Sequence, residues 1–185
     1  AKLLRKGAVY SRTTSWVFRA GPVVGLASAV AALFVLPLGG AAAPASFDGD
    51  LILLAYLLGV MRFFTVIAAL DTGSAFEGMG ASREVQFSAL AEPTLLLGLA
   101  AVARAGVVPV PGGPGGLAEP GGFLSLSAMF SRLSIAAWMH SGPALLMVAG
   151  ALLVVFLAEN SRIPVDDPNT HLELTMIHEV MVLDH

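Results

Sequence analysis

The chain is 185 residues long, 56% apolar and 12% charged, with 10 Lys and Arg against 13 Asp and Glu, a formal net charge of −3 and no cysteine. Soluble domains carry about 25% charged residues, so this composition excludes a soluble globular protein and describes an integral membrane protein, while the weak net charge supplies no basic field for nucleic acid. Without cysteine the chain forms no disulfide and offers no thiolate to an Fe–S cluster or to nickel, so the electrons of any associated redox reaction travel through other subunits.

Residues 1–19 interleave Lys2, Arg5, Lys6, Arg12 and Arg19 with Leu3, Leu4, Val9, Trp16, Val17 and Phe18. That is the pattern of an interfacial segment, with basic groups at the headgroups and Trp16 in the aromatic belt. The uncharged stretch 20–47 holds a first crossing, expected over about 20–40, since about 20 apolar residues span a bilayer. A basic start, an apolar run and the small residues at 41–45 also imitate a signal peptide. The long basic region, the overlong apolar run and the apolar segments that follow favour a crossing.

A second crossing is expected over 51–70, interrupted only by Arg62, and a third over 85–107, where Glu92 is followed by Pro93. Residues 109–122, PVPGGPGGLAEPGG, are too rich in Pro and Gly for a helix. Phe123, Leu126, Phe130, Leu133 and Ala137 recur every three or four residues, predicting a short surface helix or a polar extension of the next crossing. The fourth crossing is expected over 143–158, inside a run from 133 to 158 with no Asp, Glu, Lys or Arg. The sum is an all-α, polytopic transmembrane bundle of about four crossings, a single membrane domain over 1–185 with a charged loop at 159–185. A start at Ala1 and an end at His185, within a charged segment, suggest a piece of a longer subunit. Four crossings place Lys2, Arg5, Lys6, Arg12, Arg19, Arg83 and Arg162 on one side, against Arg104 and Arg132 on the other. The positive-inside rule then puts both ends in the cytoplasm.

Charge gathers in two places on that side. The first, residues 71–92, holds Asp71, Glu77, Arg83, Glu84 and Glu92. Gly73, Gly78 and Gly80 read as a turn and Ser82 as the N-cap of the third helix. A helix starting at Arg83 would carry Glu92 about 14 Å along its axis, near the middle of a core about 30 Å thick. A carboxylate there is protonated, hydrated or paired. Pro93 would free the Ala89 carbonyl to accept from water or a side chain. Arg62, midway along its own crossing, is the in-chain partner on offer, or else a structural counter-ion. Glu92 itself reads either as a proton-handling group or as a plain hydrogen bond between helices.

The second place is ENSRIPVDDPNTHLEL, residues 159–174, where Glu159, Arg162, Asp166, Asp167, His171 and Glu173 are held around Pro164 and Pro168, with His178 and Glu179 beyond. Taken singly these are solvated loop charges, and Glu159 and Arg162 are spaced to pair with each other. As a dense set at a membrane boundary they mark an ion or proton path, or a docking surface. His171 and His178 are seven apart, without any compact metal-ligand spacing, and no metal site is expected. No phosphate-binding loop, dinucleotide fingerprint or nucleophile elbow is present in the sequence.

The run E-x-x-R-x-P-x-D-x-P with E-L after it, on Glu159, Arg162, Pro164, Asp166, Pro168, Glu173 and Leu174, resembles the signature loop of the NADH dehydrogenase subunit 1 family, the complex I membrane subunit at the junction of the two arms. Gly80, Arg83 and Glu92 are similar to that family's second block. ALDTGS at 69–74, GASRE at 80–84 and DPNTHLELTMIHE at 167–179 look like the formate hydrogenlyase subunit 4 branch, found in energy-converting nickel–iron hydrogenases. Asn169 and His171 stand where the quinone-reducing branch carries further glutamates, so the resemblance implies a charged path rather than a quinone chamber.

The resemblance implies a subunit of the bacterial or archaeal inner or plasma membrane. It would anchor soluble hydrogenase and Fe–S subunits on the cytoplasmic side, lie beside antiporter-like membrane subunits, and couple redox chemistry to proton or ion movement. The chain would hold no cofactor; a NiFe centre and Fe–S clusters would belong to partner subunits. Glu92 would be the buried relay, with Asp71, Glu77, Glu84, Glu159, Asp166, Asp167, Glu173 and Glu179 lining the cytoplasmic entrance. Arg62, Arg83 and Arg162 would set the protonation of these carboxylates by proximity, and His171 and His178 would be available in the loop. The rival readings are a docking platform with no ion path, the equivalent subunit of an NADH–quinone oxidoreductase, and a secondary transporter. The last would show internal inverted repeats, and none is apparent in the sequence.

Overall fold

The computed structural model describes residues 12–105 and 124–160. These form five helices: α1 (Trp16–Val35), α2 (Asp50–Asp71), α3 (Ala75–Ala105), α4 (Leu126–Ser131) and α5 (Ile135–Glu159). All but α4 are long and apolar enough to cross a membrane. The described part is all-α, as the composition and the hydrophobic runs require.

The helix ends follow local chemistry rather than the edges of the apolar runs. Ser15 starts α1 by accepting the Val17 N–H at 3.2 Å. α1 stops at Leu36, which is extended (φ −83°, ψ 128°) because it precedes Pro37. α2 ends at Asp71, and a short turn at 72–74 with Gly73 at φ 71° reverses the chain. Gly78 and Gly80, expected in that turn, are helical instead, and so is Ser82.

α3 therefore begins at Ala75, ten residues before the expected 85. Ser74 accepts the Phe76 N–H at 3.3 Å, and Glu77 in the first turn suits the positive end of the helix dipole. Apolarity locates lipid, not the helix start, so the polar first turns were invisible to a hydropathy reading. At 1.5 Å per residue, α3 is about 46 Å long and exceeds a 30 Å core by about 16 Å. Its first ten residues hold Glu77, Arg83 and Glu84, and its last turn holds Arg104.

α5 also starts early, at Ile135, where Ser134 accepts the Ala137 N–H at 3.3 Å. It breaks at Ser141 (φ −123°, ψ 20°), two residues before Pro143, which lacks the N–H that would bond Met139. α4 is short, as its periodicity implied, with Leu126 and Met129 fully buried on one face and Phe130 exposed on the other.

α1 packs along α2, α2 on α3, and α3 on α5. At the last contact a Cβ on Gly98 would lie 2.9 Å from Leu152 Cδ2, so the leucine side chain would have to move aside. α3 and α5 run antiparallel, so this close approach brings the end of α5 level with Glu92. An apolar core of Ala32, Val35, Leu51, Leu54, Leu99, Ala103, Leu126 and Met129 fills the opposite half of the bundle.

Candidate functional site

Arg62 of α2 gathers both charged regions of the sequence. Its Nη1 donates to Glu84 Oε1 and its Nη2 to Glu159 Oε2, while its Nε donates to Glu92 Oε1 at 3.4 Å. Each guanidinium nitrogen thus serves a different carboxylate, drawn from α3 twice and from α5 once. The planar fork of arginine suits this arrangement, where a lysine ammonium would offer one point charge. Glu84 and Glu92 lie eight residues apart on α3, a rise of about 12 Å that the guanidinium bridges.

The four groups are not held equally. Arg62 is 17% exposed in its side chain, whereas Glu92 is 35% and Glu159 31% exposed. Glu92 also makes the long contact, at the weak end of hydrogen-bond geometry. It is the loosest member, and it opens onto a groove between α2 and α3 lined by Gly59, Phe63, Val85, Ser88, Ala89 and Pro93. One guanidinium faces three carboxylates, so with every group ionised two negative charges are in excess.

The inner face of α3 continues the acidic line outward. Glu77, Glu84 and Glu92 follow one another at intervals of seven and eight, with the buried small residues Ala81, Ser88 and Ala91 among them. Glu77 is 3% exposed, and its Oε2 is buried without a hydrogen-bond partner among the described residues. Along the axis, Glu84 lies about 14 Å and Glu92 about 26 Å from the start of α3.

Other candidates take different places. Asp71 accepts from the Ser15 N–H at 2.7 Å, the Ser15 hydroxyl at 2.8 Å and the Phe18 N–H at 3.3 Å. It caps the start of α1 through these neutral donors, apart from the Arg62 cluster. Arg83 lies over the Phe87 ring, 5.6 Å from its centroid. Glu159, spaced to pair with Arg162, pairs with Arg62 across 97 residues of sequence. Arg162, Asp166, Asp167, His171, Glu173, His178 and Glu179 lie outside the described residues.

Asp50 was not singled out in the sequence, yet it is fully buried at the opposite end of the bundle. Its partners stand 75 and 76 residues away, at Ser125 and Leu126, and no local pattern could have announced them.

The family model described as NADH dehydrogenase matches residues 1–180. The chain belongs to the NADH dehydrogenase family, as a subunit 1-like membrane protein. It is similar to formate hydrogenlyase subunit 4 of Escherichia coli (strain K12), 44% identical over 98 residues that cover 53% of this chain and 32% of the relative. It is also similar to hydrogenase-4 component C of the same organism, 41% identical over 102 residues, covering 55% of this chain and 32% of the relative. The matched stretch spans about a third of the length of these relatives. Family membership and four apolar helices together make this an integral membrane protein.

Proposed function

We propose that this chain is the membrane subunit of a hydrogenase or formate hydrogenlyase-type complex, anchoring a soluble redox arm and coupling it to proton or ion translocation. The observation that carries the reading is the Arg62 cluster: three carboxylates from two helices meeting one cation at the membrane boundary. An ionisable group in a bilayer is costly and marks function by default, and a structural ion pair would need only one carboxylate. Two surplus negative charges are balanced by a proton or by a cation from outside, so the cluster's occupancy responds to any charge change nearby.

In this reading Glu77 receives the ion near the start of α3 and Glu84 takes it into the cluster of which it is part. Glu92, the least firmly held, exchanges it with the groove. Arg62 keeps the carboxylates together and biases their protonation. The charged segment after Glu159 would meet soluble subunits on the cytoplasmic side, and antiporter-like subunits would flank the bundle. The NiFe centre and Fe–S clusters would reside in partners, in keeping with a chain that has no cysteine. The names of the two relatives favour the hydrogenase branch over an NADH–quinone oxidoreductase.

Glu92→Gln and Glu159→Gln in the complete complex test the relay. Both variants are expected to assemble and pass electrons while the number of ions moved per electron falls toward zero in sealed vesicles. Normal ion movement in both would leave only a docking platform, a role in which charge reversal at 159–179 would release the soluble subunits and Gln variants would be silent.

A further inference from the structure

We propose that the turn of α3 before Glu92 seats a water molecule on the Ser88 hydroxyl and the Ala89 carbonyl, and that this seat makes the ion exchanged at Glu92 a proton. The inference rests on the ion-path reading above and names the ion that it leaves open.

The groove between α2 and α3 has a volume of about 390 Å³, and Ser88, Ala89, Glu92 and Pro93 line it together with Arg62. A water molecule takes up about 30 Å³ and needs two to four polar partners, so room is not the constraint. Partners are, and the helix supplies them.

Ser88 and Ala89 precede Glu92 by four and three residues and share its face of α3. Side chains on a helix lean toward its N-terminus, which lays the Glu92 carboxyl group back over that turn. Pro93 lies inside α3. Having no N–H, it withholds from the Ala89 carbonyl the donor that a helix supplies. Ser88 is 7% exposed, and its hydroxyl donates to the Val85 carbonyl at 3.1 Å. That bond fixes the hydrogen and leaves the oxygen as an acceptor. Two acceptors and a carboxyl group therefore share one turn and one groove, whose other walls include Gly59, Phe63 and Val66.

The seat serves both states of Glu92. When the carboxyl group is protonated, its O–H donates to the water, which donates in turn to the Ser88 oxygen and the Ala89 carbonyl. When it is ionised, the water turns one O–H to the carboxylate and keeps the other on the Ala89 carbonyl. In the transfer the O–H bond of Glu92 breaks as a new one forms on the water, and a different proton of that water passes to a second water in the groove. One proton moves and the seated water is restored. A metal cation fares worse here. Arg62, whose Nε donates to Glu92 at 3.4 Å, lines the same groove and repels it. A hard cation also asks for a shell of oxygens, which these walls do not provide, whereas a proton needs no shell once it sits on Glu92.

The test uses the complete complex in sealed vesicles, with a trapped pH dye and electrons counted at the donor. Protons moved per electron are expected to fall about three- to tenfold in Ser88→Ala and to recover in Ser88→Thr, which keeps the hydroxyl. Pro93→Ala returns an N–H to the Ala89 carbonyl, and a similar fall is expected although the helix gains a hydrogen bond. A role in packing alone would not lower the ratio in that variant. Replacing all Na⁺ by choline should leave the parental ratio unchanged. A parental ratio in either Ser88→Ala or Pro93→Ala overturns the seat, and a ratio that depends on Na⁺ overturns the proton. Should Ser88→Ala not assemble, Pro93→Ala decides alone. Glu92→Gln separates this inference from the reading beneath it. If Glu92→Gln uncouples the complex and the other two variants do not, the seat alone is lost; if Glu92→Gln is silent, the ion path falls with it.

Discussion

Two ends of this bundle each bury a charged side chain, and they satisfy it in opposite ways. At one end Arg62 is surrounded by carboxylates that outnumber it, held from α3 and α5 with unequal firmness. At the other, Asp50 accepts from an N–H and a hydroxyl of the segment it fastens and, among the described residues, forms no ion pair. A carboxylate filled by neutral donors has nothing to exchange and serves as a joint. The same residue types therefore yield a fixed contact at one end and an unevenly held set of carboxylates at the other.

The unevenly held end should be the more fragile to loss of its single cation. Arg62→Ala leaves three carboxylates crowded without a counter-charge and is expected to cost about 3–5 kcal/mol, enough to prevent assembly. Blue-native electrophoresis of the complex would show this, and Arg62→Lys should rescue assembly in part while loosening one or two of the contacts. An Arg62→Ala complex that assembles and melts normally would mean that the cluster adds no cohesion.

Next in size, Gly98→Val would force Leu152 aside and lift α5 from α3, at about 1–3 kcal/mol. A distance measurement between spin labels on α3 and α5 should report the separation, with Glu159 drawn away from Arg62. An unchanged separation would show that Glu159 is not positioned by that contact. The smallest effect is expected where neutral donors already hold the carboxylate: Asp71→Ala removes a cap from α1 and should lower the melting temperature only slightly. It should leave ions moved per electron unaltered, and a loss of coupling in this variant would place Asp71 back in the path.

Much of this contrast was written in the chain. The uncharged runs located four membrane helices, and the isolation of Arg62 and Glu92 within theirs identified two of the four residues that meet. The third and fourth, Glu84 and Glu159, were recognisable as charged but not as partners. Glu84 was expected in the first turn of a helix and sits well inside one, two and a half turns from its start at Ala75. Glu159 had a cation three residues away in sequence, and local spacing favoured that pair over one 97 residues distant. Asp71 and Asp50 exchange their expected importance for a related reason. Both stand at helix ends, where a carboxylate is unremarkable in sequence, and only the packing of α1 and α4 against them reveals what each one holds. Ser74, Ser134 and the turn at Gly73 explain the early helix starts, yet a polar helical turn and a polar loop look alike until tertiary contacts choose between them.

Pro93 of α3 and Pro143 of α5 leave their helices in different states. α3 stays helical through Pro93, so the stave that carries Glu77, Glu84 and Glu92 moves as one piece. α5 is jointed at Ser141, beside Pro143. The portion of α5 after the joint carries Leu152 against Gly98 and Glu159 to Arg62, so the break lies outside the stretch that holds the cluster together.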